Sequence, residues 1–139
     1  MIKIVENDIT VEEYLSVRDS VGWRKLSDSQ AQMAINKSLY IIKAMDEENR
    51  ILGIGRIVGD GAVICYVQDL IVVPDAQGQG VGSAILERLK SYVLGIKEEG
   101  MTMMFCLMSA KGREGFYEKH GFLVRPNDKL GPGMIQFLK

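Results

Sequence analysis

The chain has 139 residues, 47% of them hydrophobic and 25% charged, with a formal net charge of −1. That balance excludes a disordered or fibrous polypeptide and indicates one globular domain, 1–139. The near-zero charge argues against wholesale binding to nucleic acid or to an anionic membrane, so any anionic ligand is held locally.

Taken in chain order, IKIVE (Ile2 to Glu6) reads as a short strand. Thr10 with Glu13 forms a capping box, and Tyr14, Val17 and Val21 follow at helical spacing. Ser27 with Gln30 forms a second box, opening a helix with Ala31, Ala34 and Ile35. LYIIKAM (Leu39 to Met45) and RILGIGRIV (Arg50 to Val58) are strands around the polar turn DEEN. After GDG, the stretch from Ala62 to Val73 is apolar on both faces, as a central strand would be. Past a glycine-rich turn, Ile85, Leu89, Tyr92, Val93 and Ile96 form one helical stripe. MTMMFCLM (Met101 to Met108) reads as a buried strand and GREGFYEKHG as a short helix closed by Gly121, with FLV and MIQFL as terminal strands. The order β-α-α-β-β-β-α-β-α-β-β is that of a mixed α+β protein: an antiparallel meander followed by a βαβ crossover, in a mixed, mostly antiparallel sheet.

The start MIKIVENDITVEE is charged from its third residue and carries no signal-like stretch, and no apolar run approaches a membrane span, so a cytoplasmic location is expected. Cys65 and Cys106 sit in apolar text and read as buried reduced thiols. With one histidine in the chain, a His/Cys metal site is not expected.

VVPDAQGQGVGSAILERL (Val72 to Leu89) carries the chemistry. Gly78, Gly80 and Gly82 stand where a buried strand gives way to an amphipathic helix. At such a joint the unsatisfied N–H groups of the first helical turn point outward and the helix dipole adds partial positive charge. Backbone without Cβ atoms lets a diphosphate rest on those amides. A nucleoside-triphosphate loop would need Gly-Lys followed by Ser or Thr, which the chain lacks. A dinucleotide fingerprint would need G-x-G-x-x-G within repeated βαβ units; the chain has G-x-G-x-G after hairpins.

Gln77-Gly78-Gln79-Gly80-Val81-Gly82 has the form [RQ]-x-x-G-x-[GA]. With FYEKHGF (Phe116 to Phe122) and the element order, it resembles the GCN5-related N-acetyltransferase family across essentially the whole chain. The resemblance implies acetyl-CoA as co-substrate, no metal, and direct transfer of the acetyl group to a primary amine. It implies that backbone groups of Ile71, Val72 and Val73 pair with the pantetheine arm, and that an N–H near Ile71 meets the developing oxyanion. Amides of Gly78, Gln79, Gly80, Val81, Gly82 and Ser83 would hold the pyrophosphate. Tyr117 takes the family position that protonates the departing thiolate, and Phe116 packs against the cofactor arm. Trp23 and Arg24 fall in the connection that shapes the acceptor pocket in this family, with Trp23 either a pocket wall or a core lid. Where many relatives have an asparagine seven residues before the tyrosine, this chain has Ala110, so cofactor binding leans more on backbone.

A primary amine with a pKa near 10.4 is neutral about once in several thousand molecules at pH 7, a deficit of roughly 4 to 5 kcal/mol, so a base would help. Asp69 interrupts the apolar third strand and is either that base or a carboxylate bonded to a neighbouring element. His120 ends the short helix, where a solvated C-terminus suits it. The acceptor expected is a small-molecule amine; a peptide N-terminus or lysine, or a non-catalytic acyl-CoA sensor, are the alternatives. A homodimer is expected from the class.

Overall fold

Each of the first two helices opens on the capping box expected of it. The Thr10 hydroxyl accepts from the Glu13 N–H while the Glu13 carboxylate accepts from the Thr10 N–H, starting α1 (Val11–Ser20). Ser27 and Gln30 do the same for α2 (Asp28–Lys37). The remaining elements are β1 (Lys3–Glu6), β2 (Tyr40–Met45), β3 (Ile51–Gly59), β4 (Ile64–Val72), a 3-10 turn (Pro74–Ala76), α3 (Val81–Ile96), β5 (Met104–Leu107) and α4 (Glu114–Lys119). This computed structural model describes residues 1–139, in two compact units, 1–105 and 106–139.

The strands form one mixed sheet in the order β1-β2-β3-β4-β5, and the first four pair antiparallel. In β3, Ile54 joins a buried cluster with Tyr14 and Val17 of α1, Ala31 of α2, Ile41 and Ile71. Its neighbour Gly55 meets α3: a Cβ there would lie 2.6 Å from Ile85 Cγ2 and 3.0 Å from Leu89 Cδ1. Successive strand residues point to opposite faces, so α1 and α2 cover one face of the sheet and α3 the other. Of the expected α3 stripe, Ile85, Leu89 and Val93 are buried, and Tyr92 stacks on Tyr40 with ring centroids 4.0 Å apart.

Register matters at one place. Arg56 pairs with Asp69 but Ile57 pairs with Val67, so Gln68 is the extra residue of a β-bulge. The bulge breaks the alternation of β4 and turns Asp69 toward α1.

Tyr14 of α1 is fully buried, and burial, reinforced by the neighbouring Asp69 carboxylate, pushes its phenol up to about 12. The folded-state value lies above the usual 10, so this group's stabilisation is complete below pH 10 and is lost as pH rises through about 12. A two-unit difference corresponds to about 3 kcal/mol. Urea midpoints measured from pH 9 to 12 should therefore fall steeply above pH 10, and Tyr14→Phe should flatten that fall.

Two expectations are corrected. FLV and MIQFL are not strands; no strand follows β5. Val124 precedes a turn in which the Asn127 side chain accepts from the Lys129 and Leu130 N–H groups, and Gly131, Pro132 and Gly133 follow. These local bonds and the missing proline N–H interrupt any hairpin. The Met-rich strand is shorter than expected and not buried: Met103 is, but Met101, Met104 and Met108 are exposed. Neither cysteine is in a disulfide; Cys65 is buried and Cys106 only partly so.

Candidate active site

β5 has four residues against the nine of β4, and its first N–H, from Met104, donates to the Val63 carbonyl at the beginning of β4. β3 accompanies β4 as far as Val72. The end of β4 therefore has a neighbour strand on one side only. The Val73 N–H donates to the Leu52 carbonyl of the β3 side. Antiparallel pairing alternates by two residues, which turns the Ile71 amide the same way and leaves that of Val72 facing away. The Ile71 and Val73 amides are thus turned to the β3 side, and that of Val72 away from it. The Val72 carbonyl accepts from Gln77 Nε2 at 3.1 Å, which anchors the loop that follows.

That loop, Gln77 to Gly80, is exposed throughout. Gly78 and Gly80 adopt φ of +79° and +84°, the left-handed region that favours glycine, and a Cβ at either would meet nothing within 4 Å. The glycines are there for conformation and for an open surface, not for close packing within the chain. Gly82 differs: it lies inside α3 without a positive φ. Gln79 turns its side chain back to the Asp75 carbonyl, leaving its backbone to line the loop. At α3 no side chain caps the N-terminus and no acid stands in the first turn. A long helix thus presents its first amides and positive dipole end uncompensated, with Val81 buried beneath and Gly82 and Ser83 half-exposed. This surface fits a diphosphate.

Asp69 is wholly buried, between three donors. Tyr14 Oη and Arg56 Nε donate to Oδ2, each at 2.6 Å, and Arg18 Nη1 approaches Oδ1 at 3.5 Å. Arg18 also donates from Nη2 to the Arg24 carbonyl at 2.9 Å, tying the connection after α1 to the network, while its Nε has no partner. Arg56 reaches on to Ser38 Oγ at the end of α2. Tyr14, Arg18 and Arg56 were not singled out in the sequence as site residues. The signals were present: Tyr14 and Arg18 at i and i+4 on a buried helix face, and an arginine in the middle of an apolar strand.

Trp23 is half-buried against the α1–α2 core cluster, with the Arg18 guanidinium 5.4 Å from its ring centre. Arg24 is exposed. Beside this region runs a cleft of about 450 Å³, lined by Glu12, Glu13, Ser16 and Ser20 of α1, by Arg50 and Ile51, and by Val73 at the end of β4. Glu13 also holds Lys43, at 3.2 Å to both oxygens.

In the second unit, Tyr117 lies on α4, edge-on to Phe116 at 5.1 Å and to Phe122 at 5.9 Å. Burial pushes its phenol up, offset in part by the charge of Arg113. His120 caps the helix end, its ring 4.9 Å from that of Phe116. No group of three or more His, Cys, Asp or Glu residues is placed to hold a metal ion.

A family model described as acetyltransferase (GNAT) domain matches residues 36–124, from the end of α2 past α4. A GNAT-family acetyltransferase of Streptococcus pneumoniae TIGR4 superposes with a TM-score of 0.81 at 31% identity, over 100% of this chain and 99% of that one. Histone acetyltransferase TAP1 of Glycine max is 30% identical over 93 residues, 59% of this chain and 40% of that protein. Serotonin N-acetyltransferase 2 of Oryza sativa subsp. japonica is 28% identical over 110 residues, 77% of this chain and 53% of that protein. The fold, the glycine turn and the match to more than half of the sequence agree: this chain belongs to the GNAT family of acetyltransferases, enzymes that take acetyl-CoA as co-substrate.

Proposed function

We propose that this enzyme moves the acetyl group of acetyl-CoA onto a primary amine of a small molecule by direct attack. The observation that carries the reading is the end of β4, paired on one side only and running into an exposed loop and the uncapped start of α3. The pantetheine arm would lie along β4, and amides of Gly78, Gln79, Gly80, Val81, Gly82 and Ser83 would hold the pyrophosphate. The amine nitrogen attacks the thioester carbonyl carbon, the carbon–sulfur bond breaks, and the Val72 N–H is the donor turned outward to meet the oxyanion. Tyr117 gives a proton to the departing thiolate, its raised phenol holding that proton at neutral pH until then, and water takes the proton the amine nitrogen sheds and restores the phenol. Phe116 packs beside it.

The cleft at Val73 supports a small acceptor: its volume suits a small molecule, and its charged lining joins Glu12 and Glu13, the latter held by Lys43, with Arg50. Asp69 is an anchor for α1 in this reading, since two guanidiniums and a phenol occupy its oxygens. With no base assigned to β4, kcat/KM should rise with pH as the free amine accumulates. Tyr117→Phe should lower kcat about ten-fold or more while leaving acetyl-CoA affinity unchanged; full activity in that variant takes Tyr117 out of the mechanism.

A panel of amines assayed for CoA thiol release tests the whole reading, with calorimetry of acetyl-CoA beside it. Release with small amines supports it. Binding without release from any acceptor makes the chain an acyl-CoA sensor, and release only with peptides moves the substrate to protein amines.

A further inference from the structure

The cleft at Val73 has two walls. One is α1, through Glu13, Val17 and Ser20 at helical spacing, and the other is the start of β3 with Val73. What fixes the distance between them fixes the fit of a molecule in the cleft. Toward its N-terminus α1 is tied to the sheet by Glu13 on Lys43 and by Tyr14 on Asp69. Past Val17 the polar tie to the sheet is Arg18, one turn beyond Tyr14 on the row beside the cleft-lining one.

Stability does not account for Arg18. Asp69 carries one negative charge and faces two guanidiniums, and Arg56 and Tyr14 each donate to its Oδ2 at 2.6 Å. The Arg18 contact to Oδ1 is 3.5 Å, long for a hydrogen bond, and its Nε has no partner although the side chain is buried. A buried guanidinium so incompletely matched is disfavoured against an apolar side chain of similar volume. What Arg18 holds closely is the chain that follows it. Its Nη2 donates to the Arg24 carbonyl at 2.9 Å, its own carbonyl accepts from the Val21 and Trp23 N–H groups, and its guanidinium lies 5.4 Å from the Trp23 ring centre. The turn after α1 is thus wrapped on one residue, whose guanidinium also rests on β4, four residues before Val73.

We propose that Arg18 is a positioning residue for the acceptor amine. It touches no reacting atom; it sets the C-terminal half of α1 and the turn at 21–24 against Asp69, and through them the width of the cleft between Ser20 and Val73. This inference rests on the reading of that cleft as the acceptor site. A guanidinium fork holds Asp69 and the Arg24 carbonyl together, which a single ammonium does not.

Arg18→Met leaves Asp69 balanced by Arg56, so this variant should fold with a urea midpoint close to that of the native chain. Its KM for the amine should rise about ten-fold, with kcat and the KM for acetyl-CoA within about two-fold of native, the mark of lost acceptor binding. Arg18→Lys keeps the charge without the fork and should show the same split. A native amine KM in Arg18→Met, a loss shared equally with acetyl-CoA, or recovery in Arg18→Lys overturns the inference. Hydrogen exchange reads the turn without turnover: the Val21 and Trp23 amides should exchange about ten-fold faster in Arg18→Met, with β3 unchanged. Equal exchange in both chains overturns the inference whatever the enzyme acetylates. Faster exchange in the variant, with no thiol released by the native chain from any amine, shows instead that the cleft is not an acceptor site and leaves Arg18 a structural role only.

Discussion

Asp69→Asn should cost about 3 to 5 kcal/mol of folding stability, the loss typical of breaking a buried ion pair from one side. The substitution keeps the shape of the side chain and removes its charge, leaving Arg56 and Arg18, only 8% and 7% exposed, without their shared anion. The new amide would also turn N–H groups toward donors that already point inward from Tyr14 and Arg56. A domain of this size holds about 5 to 15 kcal/mol in total, so the variant should be marginal at 25 °C. Urea unfolding followed by circular dichroism measures the loss. Because the pair is buried, added salt should recover little of it. A variant of wild-type stability with abolished turnover would show the opposite: that Asp69 is a reacting group and the network around it is incidental.

Gly80→Asp is expected to separate binding from folding. The residue has φ +84° and open space around it, so the new side chain clashes with nothing and the left-handed backbone costs about 1 to 2 kcal/mol. Asp tolerates that conformation better than most residues. The carboxylate, however, would stand at the start of α3, where no acid is found in the first turn, and would compete with a diphosphate for the same amides. Acetyl-CoA affinity should fall a hundred-fold or more, a change of about 2.7 kcal/mol, while the melting temperature moves by a few degrees. Calorimetry against acetyl-CoA checks the first figure and thermal unfolding the second. Unchanged affinity would place the phosphates elsewhere.

Local signals in this chain were legible wherever the physics was local. The two capping boxes needed only residues three apart, and both formed as read. The glycine turn needed only a positive φ and a helix start, and both are there. The α3 stripe followed from helical spacing, and its Ile85 and Leu89 pack on Gly55. These features rest on energies set within one turn or one strand.

What needed a second segment was not legible. Asp69 could be noticed as a costly carboxylate, but which partners neutralise it depends on residues 55, 51 and 13 positions away in the chain. The bulge at Gln68 that aims Asp69 at them comes from pairing register, which no single strand specifies. The direction of the Val72 and Val73 amides likewise follows from which bonds β3 takes. MIQFL has the composition of a strand, yet composition cannot supply the neighbour that a strand requires, and within this chain residues 134–138 join no ladder. The sequence by itself determined the capped helices, the strands up to β4, the family and the glycine turn, because each is written in adjacent residues. Tertiary structure decided which donors surround Asp69, which amide faces outward and which segment stays unpaired, because a buried charge and a ladder hydrogen bond are satisfied only across distance in the chain.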